Sequence, residues 1–241
     1  MLLKLIRTEK QKLKRSPIWL AFLFMPIIPA FLGTMNYQLN TEILRDQWYS
    51  LWTQHTLFTC YFFLPVLLGI YCAYTVRLEQ NNHNWNKLLT MPTPRWKIFL
   101  SKLFSASFLV MLTEIWIGLL FLLSGKLLGL SAAIPSELPV WLLCGTLGGL
   151  VIVAIQLILS LFLKSFALPI GISFLGGISG LAALAKGFGN LWPYSLMAYG
   201  MRANAPQELL TNNIPAFLFT CFFFLALFTL LGSLYLTKKD F

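Results

Sequence analysis

The stretch RLEQNNHNWNKLLTMPTPRWKIFLSK, residues 77–102, decides how the rest of this chain must be arranged. It is polar and carries an excess of basic residues, and a long apolar run flanks it on each side. A polar stretch between two such runs predicts a loop that joins two membrane spans. Because Lys and Arg close to the ends of spans resist translocation, we expect this loop to stay in the cytoplasm.

The composition of the whole chain also indicates a membrane location. Of its 241 residues, 58% are hydrophobic and 11% are charged, and the mean hydropathy is +0.74. A soluble domain carries roughly 25% charged residues. The net charge of +10 would suggest nucleic acid in a soluble protein, but here the basic residues cluster at the ends of apolar runs. Topology and anionic lipid headgroups explain that placement, so membrane lipid is an expected partner and nucleic acid is not.

The first residues, MLLKLIRTEKQKLKRS, predict a short basic amphipathic helix that lies on the inner membrane surface. Its helically spaced positions are Leu2, Leu5, Ile6, Glu9 and Leu13, and basic residues fill most of the others. The segment could instead be the n-region of a signal peptide. It is long for that role, and the run that follows lacks a clear cleavage site.

Six apolar runs follow, each close to the roughly 20 residues that a membrane crossing needs. They cover residues 17–35, 56–76, 98–123, 139–163, 166–185 and 214–236. With both termini in the cytoplasm, only Arg45, Lys126, Lys186 and Arg202 of the 18 basic residues fall outside. This asymmetry predicts an all-α, multi-pass protein of the plasma membrane, with residues 1–241 forming a single transmembrane domain. Pro26 and Pro29 predict a kink in the first span.

The sequence shows no catalytic or metal-binding constellation, so we expect neither enzymatic activity nor a bound metal. The patterns HExxH and G-x-S-x-G do not occur, and the topology places His55 and His83 on opposite sides of the membrane. The four cysteines lie inside apolar runs, where we interpret them as small buried side chains. The phosphate-binding pattern GxxxxGK[ST] does not occur either, so ATP would have to be bound by another subunit.

Two polar residues fall inside predicted spans. Glu114 follows Lys102 by about 12 residues, which places it roughly 18 Å further along the helix. Burying a carboxylate at that depth costs several kcal/mol, so we expect this group to be protonated, paired or facing a polar cavity. A role in function and a role in packing both stay open. Gln156 is a possible partner from another span.

An aromatic segment precedes the last span and is too short to cross the membrane. Residues 190–200 predict a short helix that lies at the outer leaflet or dips into it. Its interfacial residues are Trp192, Tyr194, Met197 and Tyr199. They could contact an amphipathic substrate or simply anchor the segment. In the two spans before it, the GxxxG spacings at Gly145 and Gly176 permit close helix packing.

The middle of the opening stretch predicts a short cytoplasmic coupling helix that docks on a soluble partner. Large apolar side chains would anchor it, charges would set its register, and prolines would stiffen its link to the third span. The residues assigned to this role are Glu79, Trp85, Lys87, Leu88, Leu89, Pro92 and Arg95. The alternative is a surface helix that only anchors on lipid headgroups.

Taken together, these features resemble the permease subunits of ABC type-2 exporters. The shared features are the amphipathic helix, six spans, the basic loop after the second span and the external hairpin before the sixth. The closest match in the loop is Glu79, then Trp85-x-Lys87-Leu88-Leu89, Pro92 and Arg95, with Lys102 beginning the third span. The compact size and the stretch LLTMPTPRWKIFLSK are most similar to permeases of lantibiotic self-protection and bacitracin-resistance transporters.

The resemblance implies a pair of permeases, either two copies of this chain or one copy with a sister subunit, bound to two ATP-binding subunits. ATP and Mg²⁺ would be held by those subunits, and this chain would bind no cofactor directly. The implied activity is export or expulsion of an amphipathic peptide from the membrane. Two alternatives stay open: a stand-alone immunity protein that binds a peptide or lipid without transport, and an intramembrane enzyme, which the missing catalytic cluster disfavours.

Overall fold

The computed structural model of the chain describes residues 1–80, 84, 85, 88, 93–203, 205 and 214–238. Throughout these residues the regular elements are helices, and six helical segments are long and apolar enough to cross a membrane. The prediction of an all-α integral membrane protein with six spans is therefore confirmed.

The helices follow the predicted order. The amphipathic helix is α1 (Leu2–Leu13), and the first span consists of α2 (Ile18–Phe24) and α3 (Ile27–Leu39). The second span consists of α4 (Gln47–Phe58), a π-helix (Thr59–Phe63) and α5 (Leu64–Gln80). The third, fourth and fifth spans are α6 (Arg95–Leu127), α7 (Leu138–Phe162) and α8 (Ala167–Ala185). A short helix, α9 (Leu196–Gly200), precedes the sixth span, α10 (Ile214–Lys238).

Prolines account for the irregularities of the first two spans. The first span breaks between α2 and α3, where Pro26 caps the second of these helices, so the predicted kink is present. In the second span the backbone widens into the π-helix just before Pro65, which has no N–H to donate to the helical ladder. The Ser173 hydroxyl of α8 donates to the Pro65 carbonyl at 2.5 Å, which gives this oxygen a partner from outside its own helix.

The second span begins nine residues earlier than expected, at Gln47 rather than residue 56, and is 34 residues long. The added turns contain Trp48 and Trp52, and both side chains are buried in the bundle, at 3% and 0% exposed. The Trp52 indole donates to the Met201 carbonyl at 2.8 Å, and Trp48 donates to the Ala132 carbonyl at 2.9 Å. These acceptors come from distant parts of the chain, so the local hydropathy pattern does not reveal the earlier start of the span.

Glycines in α7 and α8 make room for the segment between the fifth and sixth spans. A Cβ on Gly148 would lie 2.5 Å from the Met197 Cα, and one on Gly180 would lie 2.8 Å from the Tyr194 carbonyl oxygen. Backbone atoms cannot move aside as a flexible side chain can. The segment around α9 therefore enters the bundle as a re-entrant element, and the small residues of both spans hold it there.

Replacing Gly148 with Ala should push the re-entrant segment away from α7. We expect a loss of about 1–3 kcal/mol, typical of overpacking, seen as a lower midpoint of thermal unfolding of the detergent-purified protein. Gly171→Ala is the matched control, because no atom lies within 4 Å of its added Cβ and Ala favours the helix. Equal midpoints for the two variants would contradict the close approach at Gly148.

Candidate functional site

Three buried charges meet where the second span ends and the third begins. Glu9 comes from α1, Glu79 from the last turn of α5, and Lys102 from about two turns into α6. These residues are 4%, 1% and 2% exposed. The Lys102 ammonium lies 3.2 Å from the Glu9 carboxylate and 3.0 Å from the Glu79 carboxylate. One lysine thus joins two elements that are 70 residues apart in the sequence.

Lys12 completes the cluster from the next turn of α1. Its ammonium lies 3.0 Å from Glu9 Oε1 and also forms an ion pair with Glu79. Two carboxylates and two ammonium groups make the cluster neutral. Lys102 further donates a hydrogen bond to the Thr75 carbonyl at 3.1 Å. Burial of Glu9, Glu79 and Lys102 is tolerated only with such pairing, because an unpartnered ion away from water costs several kcal/mol.

The charge state of Lys12 follows from its two acidic neighbours. Burial by itself would lower the pKa of the ammonium group, but Glu9 and Glu79 outweigh that effect and hold the pKa of Lys12 above its ordinary value of 10.5. Because the pKa of Lys12 is raised in the folded state, its ion pairs with Glu9 and Glu79 stabilise the fold fully at neutral pH. This stabilisation is lost only as the pH rises above 10.5 and through the folded-state value.

The loop after the second span folds back onto this cluster. The Trp85 side chain is 5% exposed, and its ring centroid lies 5.9 Å from the Lys102 ammonium, within reach of a cation–π interaction. Leu88 is half-buried and packs against the hydrophobic core. We call the assembly of Glu9, Lys12, Glu79, Trp85 and Lys102 the charged junction.

Arg95 ties the start of the third span to the end of the sixth. Its guanidinium donates to the Thr237 carbonyl at 3.0 Å and to the Leu236 carbonyl at 3.4 Å. These carbonyls belong to the last turn of α10, where backbone oxygens have no helical donor and a cation is favourable. The base of the third span therefore contacts the amphipathic helix, the second span and the sixth span.

The structure corrects part of the predicted docking surface. We expected Trp85 to insert into a partner, and Glu79 and Arg95 to steer that partner, but all three side chains contact other parts of this chain. The reason is that α1 packs beside the ends of the second and third spans and supplies charges that the loop alone does not reveal. Leu88 retains exposed surface. Lys87, Leu89 and Pro92 lie outside the described residues.

Sequence reasoning missed Glu9 and Lys12 as members of the site. One signal was present, because Glu9 occupies a position on the apolar face of an otherwise basic helix. A lone acid among apolar positions indicates a buried counter-charge. The helix also packs against α6, and Leu13 at its end is 4% exposed, so α1 contacts the third span in addition to carrying an exposed basic face.

Glu114 is buried inside the bundle, at 1% exposed. Neither of its carboxyl oxygens has a hydrogen-bond partner among the described residues. Gln156 is not its partner, because the Gln156 amide donates instead to the Tyr194 hydroxyl at 2.7 Å. Glu114 Oε1 faces Gly145, and Met201 of the re-entrant segment packs on the same glycine. This acid therefore lies where the third and fourth spans meet the re-entrant segment.

The four predicted external residues separate into two groups. Tyr194 and Met197 are core residues, at 8% and 0% exposed, so their assignment to a membrane interface is wrong. Trp192 is 45% exposed and its indole donates to the Ser179 hydroxyl at 2.9 Å. Tyr199 is half-buried, with its ring centroid 6.0 Å from that of Phe217. The segment contains the expected helix, though a short one, and its deepest residues pack inside the bundle.

Comparison with known families agrees with this architecture. The family model described as ABC-2 family transporter protein matches residues 5–180, which include most of α1, the charged junction, the first four spans and most of the fifth. The chain belongs to this family and is a multi-pass membrane permease subunit of an ABC transporter, and an ATP-binding subunit is its implied partner. No curated protein and no solved structure matched the chain.

Lys102→Met should destabilise the permease strongly. It removes one of the two positive charges that neutralise Glu9 and Glu79, and breaking a buried ion pair on one side typically costs about 3–5 kcal/mol. Lys97→Met on the same helix is the control, because Lys97 lies over the Trp96 ring and belongs to no ion pair in the described part of the chain. The midpoint of thermal unfolding in detergent is measured for both variants. Equal unfolding midpoints would show that the junction does not stabilise the fold.

Glu114→Ala should cost more than Glu114→Gln, in folding or in transport. Ala leaves a cavity between two spans and the re-entrant segment, whereas Gln keeps the shape of the protonated side chain. The yield of folded protein and transport by the assembled transporter are the measurements. If both variants matched the unaltered protein in both assays, Glu114 would have no role in either.

Proposed function

We propose that this permease works in an ATP-driven exporter that expels an amphipathic peptide antibiotic, such as a lantibiotic, from the membrane and so gives immunity. The observation that carries the proposal is the charged junction. An ATP-binding subunit would act on the loop, and the junction connects this loop with α1 and with the second and third spans. Arg95 extends the connection to the sixth span.

The junction can carry a movement of the loop into the spans. A separate subunit would bind ATP and Mg²⁺ and contact the loop at Leu88, which keeps exposed surface. Lys102 and its two carboxylates are buried, so pulling them apart would expose unpaired charges to a low-dielectric surrounding. The loop, α1 and the base of the third span should therefore move together. Directed motion at the loop would tilt the spans instead of being lost in a flexible connection.

The lateral surface supports an amphipathic substrate that meets the permease from within the membrane. Between the third and sixth spans lies an open cleft of about 510 Å³, lined mostly by apolar side chains such as Leu100 and Phe222. Thr229 and Ser233 add hydroxyl groups to its wall. An apolar surface with a few polar groups suits a peptide that is partly inserted into lipid. In the assembled transporter the permease would pair with a second copy or with a sister permease.

Both termini are proposed to lie in the cytoplasm, which places Leu88 on the side where ATP is available. A reporter fused after Asp46 should therefore report the outside, and reporters near Asn84 and after Phe241 should report the inside. Paired enzymatic reporters that are active on only one side of the membrane make the measurement. An outside signal near Asn84 would remove the loop from the ATP-binding subunit and refute the coupling proposal.

Leu88→Ser should weaken association with the ATP-binding subunit by about tenfold or more, because a large apolar side chain in an interface contributes strongly to binding. Leu3→Ser is the matched control, since Leu3 is 80% exposed on α1 and lies outside the junction. Co-purification from membranes measures association. Normal association of the Leu88 variant would place the docking site elsewhere.

The substrate is tested in cells that express the permease with its ATP-binding subunit. We expect an increased minimal inhibitory concentration of a lantibiotic, lost when the ATP-binding subunit is inactivated by mutation. Protection that persists without ATP hydrolysis would favour a stand-alone immunity protein. No change for any lantibiotic, with ATP hydrolysis intact, would refute the substrate class and leave the permease role standing.

A further inference from the structure

A second site lies where α1 turns into the first span. A cleft of about 360 Å³ opens there between α1, the start of the first span and α6. Its lining includes three basic residues, Lys10, Lys14 and Arg15. Its apolar wall includes Phe108 and Trp19. The cleft does not contain the buried members of the charged junction.

The backbone concentrates positive charge at this cleft. Arg15 adopts a left-handed conformation, with φ at 78°, that is uncommon for a residue other than glycine. This turn ends α1 and places Arg15 and Trp19 around the same cleft as Lys14. The Trp19 indole donates to the Leu13 carbonyl at 2.9 Å, which fixes the corner. None of the three basic residues belongs to an ion pair within the described ranges of the chain.

A buried hydroxyl in the wall of the cleft also lacks a partner. Ser105 is 2% exposed, and its Oγ makes no hydrogen bond within the part of the chain that the structure describes. Hydroxyl groups of serines in helices commonly donate to a carbonyl of the preceding turn, as Ser107 does to Leu103 at 2.7 Å. Ser105 thus adds a hydroxyl group without a hydrogen-bond partner to a cleft whose basic residues have no acidic partner in the described part of the chain.

The geometry points to a site for an anionic phospholipid. Lys14 and Arg15 would hold the phosphate, Ser105 would bond an oxygen of the headgroup or glycerol region, and the acyl chains would follow the exposed apolar surface of the spans. Exposed side chains such as Leu20 and Phe24 of the first span provide that surface. Lys10 lies 4.3 Å from the centroid of the Phe108 ring at the same cleft. This inference does not depend on the proposed substrate.

The shape and the wall favour a membrane lipid over a soluble anion. A free phosphate would gain nothing from Phe108, Trp19 and the apolar surface beyond them, whereas a phospholipid uses both the charges and the apolar wall. Interfacial Trp side chains are also typical of the depth at which headgroups lie. The site therefore should discriminate on two features at once, the negative charge of the headgroup and the presence of acyl chains.

Native mass spectrometry of the purified full-length permease in detergent tests the site. The protein is titrated in parallel with phosphatidylglycerol, phosphatidylcholine and inorganic phosphate. We expect one retained phosphatidylglycerol per chain and at least about tenfold weaker retention in the Lys14→Gln/Arg15→Gln double variant. The control is Lys4→Gln/Arg7→Gln, which removes the same charge from exposed positions of α1 that do not line the cleft.

Three results would overturn the proposal. Equal loss of phosphatidylglycerol in the two double variants would mean diffuse attraction to a basic helix, not a site. Equal retention of phosphatidylcholine would show that charge is not recognised. Competition by inorganic phosphate at concentrations similar to those of the lipid would assign the cleft to a soluble anion. All substituted residues are exposed, so each variant is expected to fold and the comparison stays meaningful.

Discussion

Lys102 is the residue on which the arrangement of this permease depends, because it carries a positive charge where water does not reach. An ammonium group in that position requires acidic partners, and the nearest acid along the chain, Glu79, supplies only one carboxylate. The second comes from Glu9, close to the N-terminus. The two ion pairs of Lys102 therefore hold the amphipathic helix against the third span. They also hold the end of the second span beside both helices. Trp85 covers the cluster from the loop.

A different constraint organises the opposite end of the bundle. There the spans approach the re-entrant segment so closely that only glycine fits at Gly148 and Gly180. Trp52 then bonds the far side of that segment through the Met201 carbonyl. Glu114 contacts this packed region from α6, the helix that also carries Lys102 of the charged junction. In the proposed mechanism, a tilt of α6 that begins at the junction would move both the acid and the re-entrant segment, and so would give ATP-driven motion a path across the membrane.

The sequence predicted most of the fold because its strongest signals are local. Apolar runs of sufficient length, prolines in the first span and the distribution of Lys and Arg need no knowledge of distant contacts. The site was predicted less completely, since its chemistry arises from pairings over long sequence separations. Glu79 and Trp85 were identified as important, but their partners Glu9 and Lys102 could not be assigned to them. Trp52 cannot be assigned from the sequence for the same reason. An aromatic residue near the end of a span can face lipid, or it can donate a hydrogen bond to a buried carbonyl, and the sequence does not distinguish the two.

We infer that α1 is held in the charged junction and does not simply rest on the membrane. A double-mutant cycle between Glu9 and Lys102 tests it directly, using Glu9→Gln, Lys102→Met and both together, with unfolding in detergent as the readout. We expect the two single effects to be non-additive by at least about 1 kcal/mol, as for residues in one buried ion-pair network. Effects that add to within about 0.5 kcal/mol would show that α1 and the third span are energetically independent, and would contradict the account.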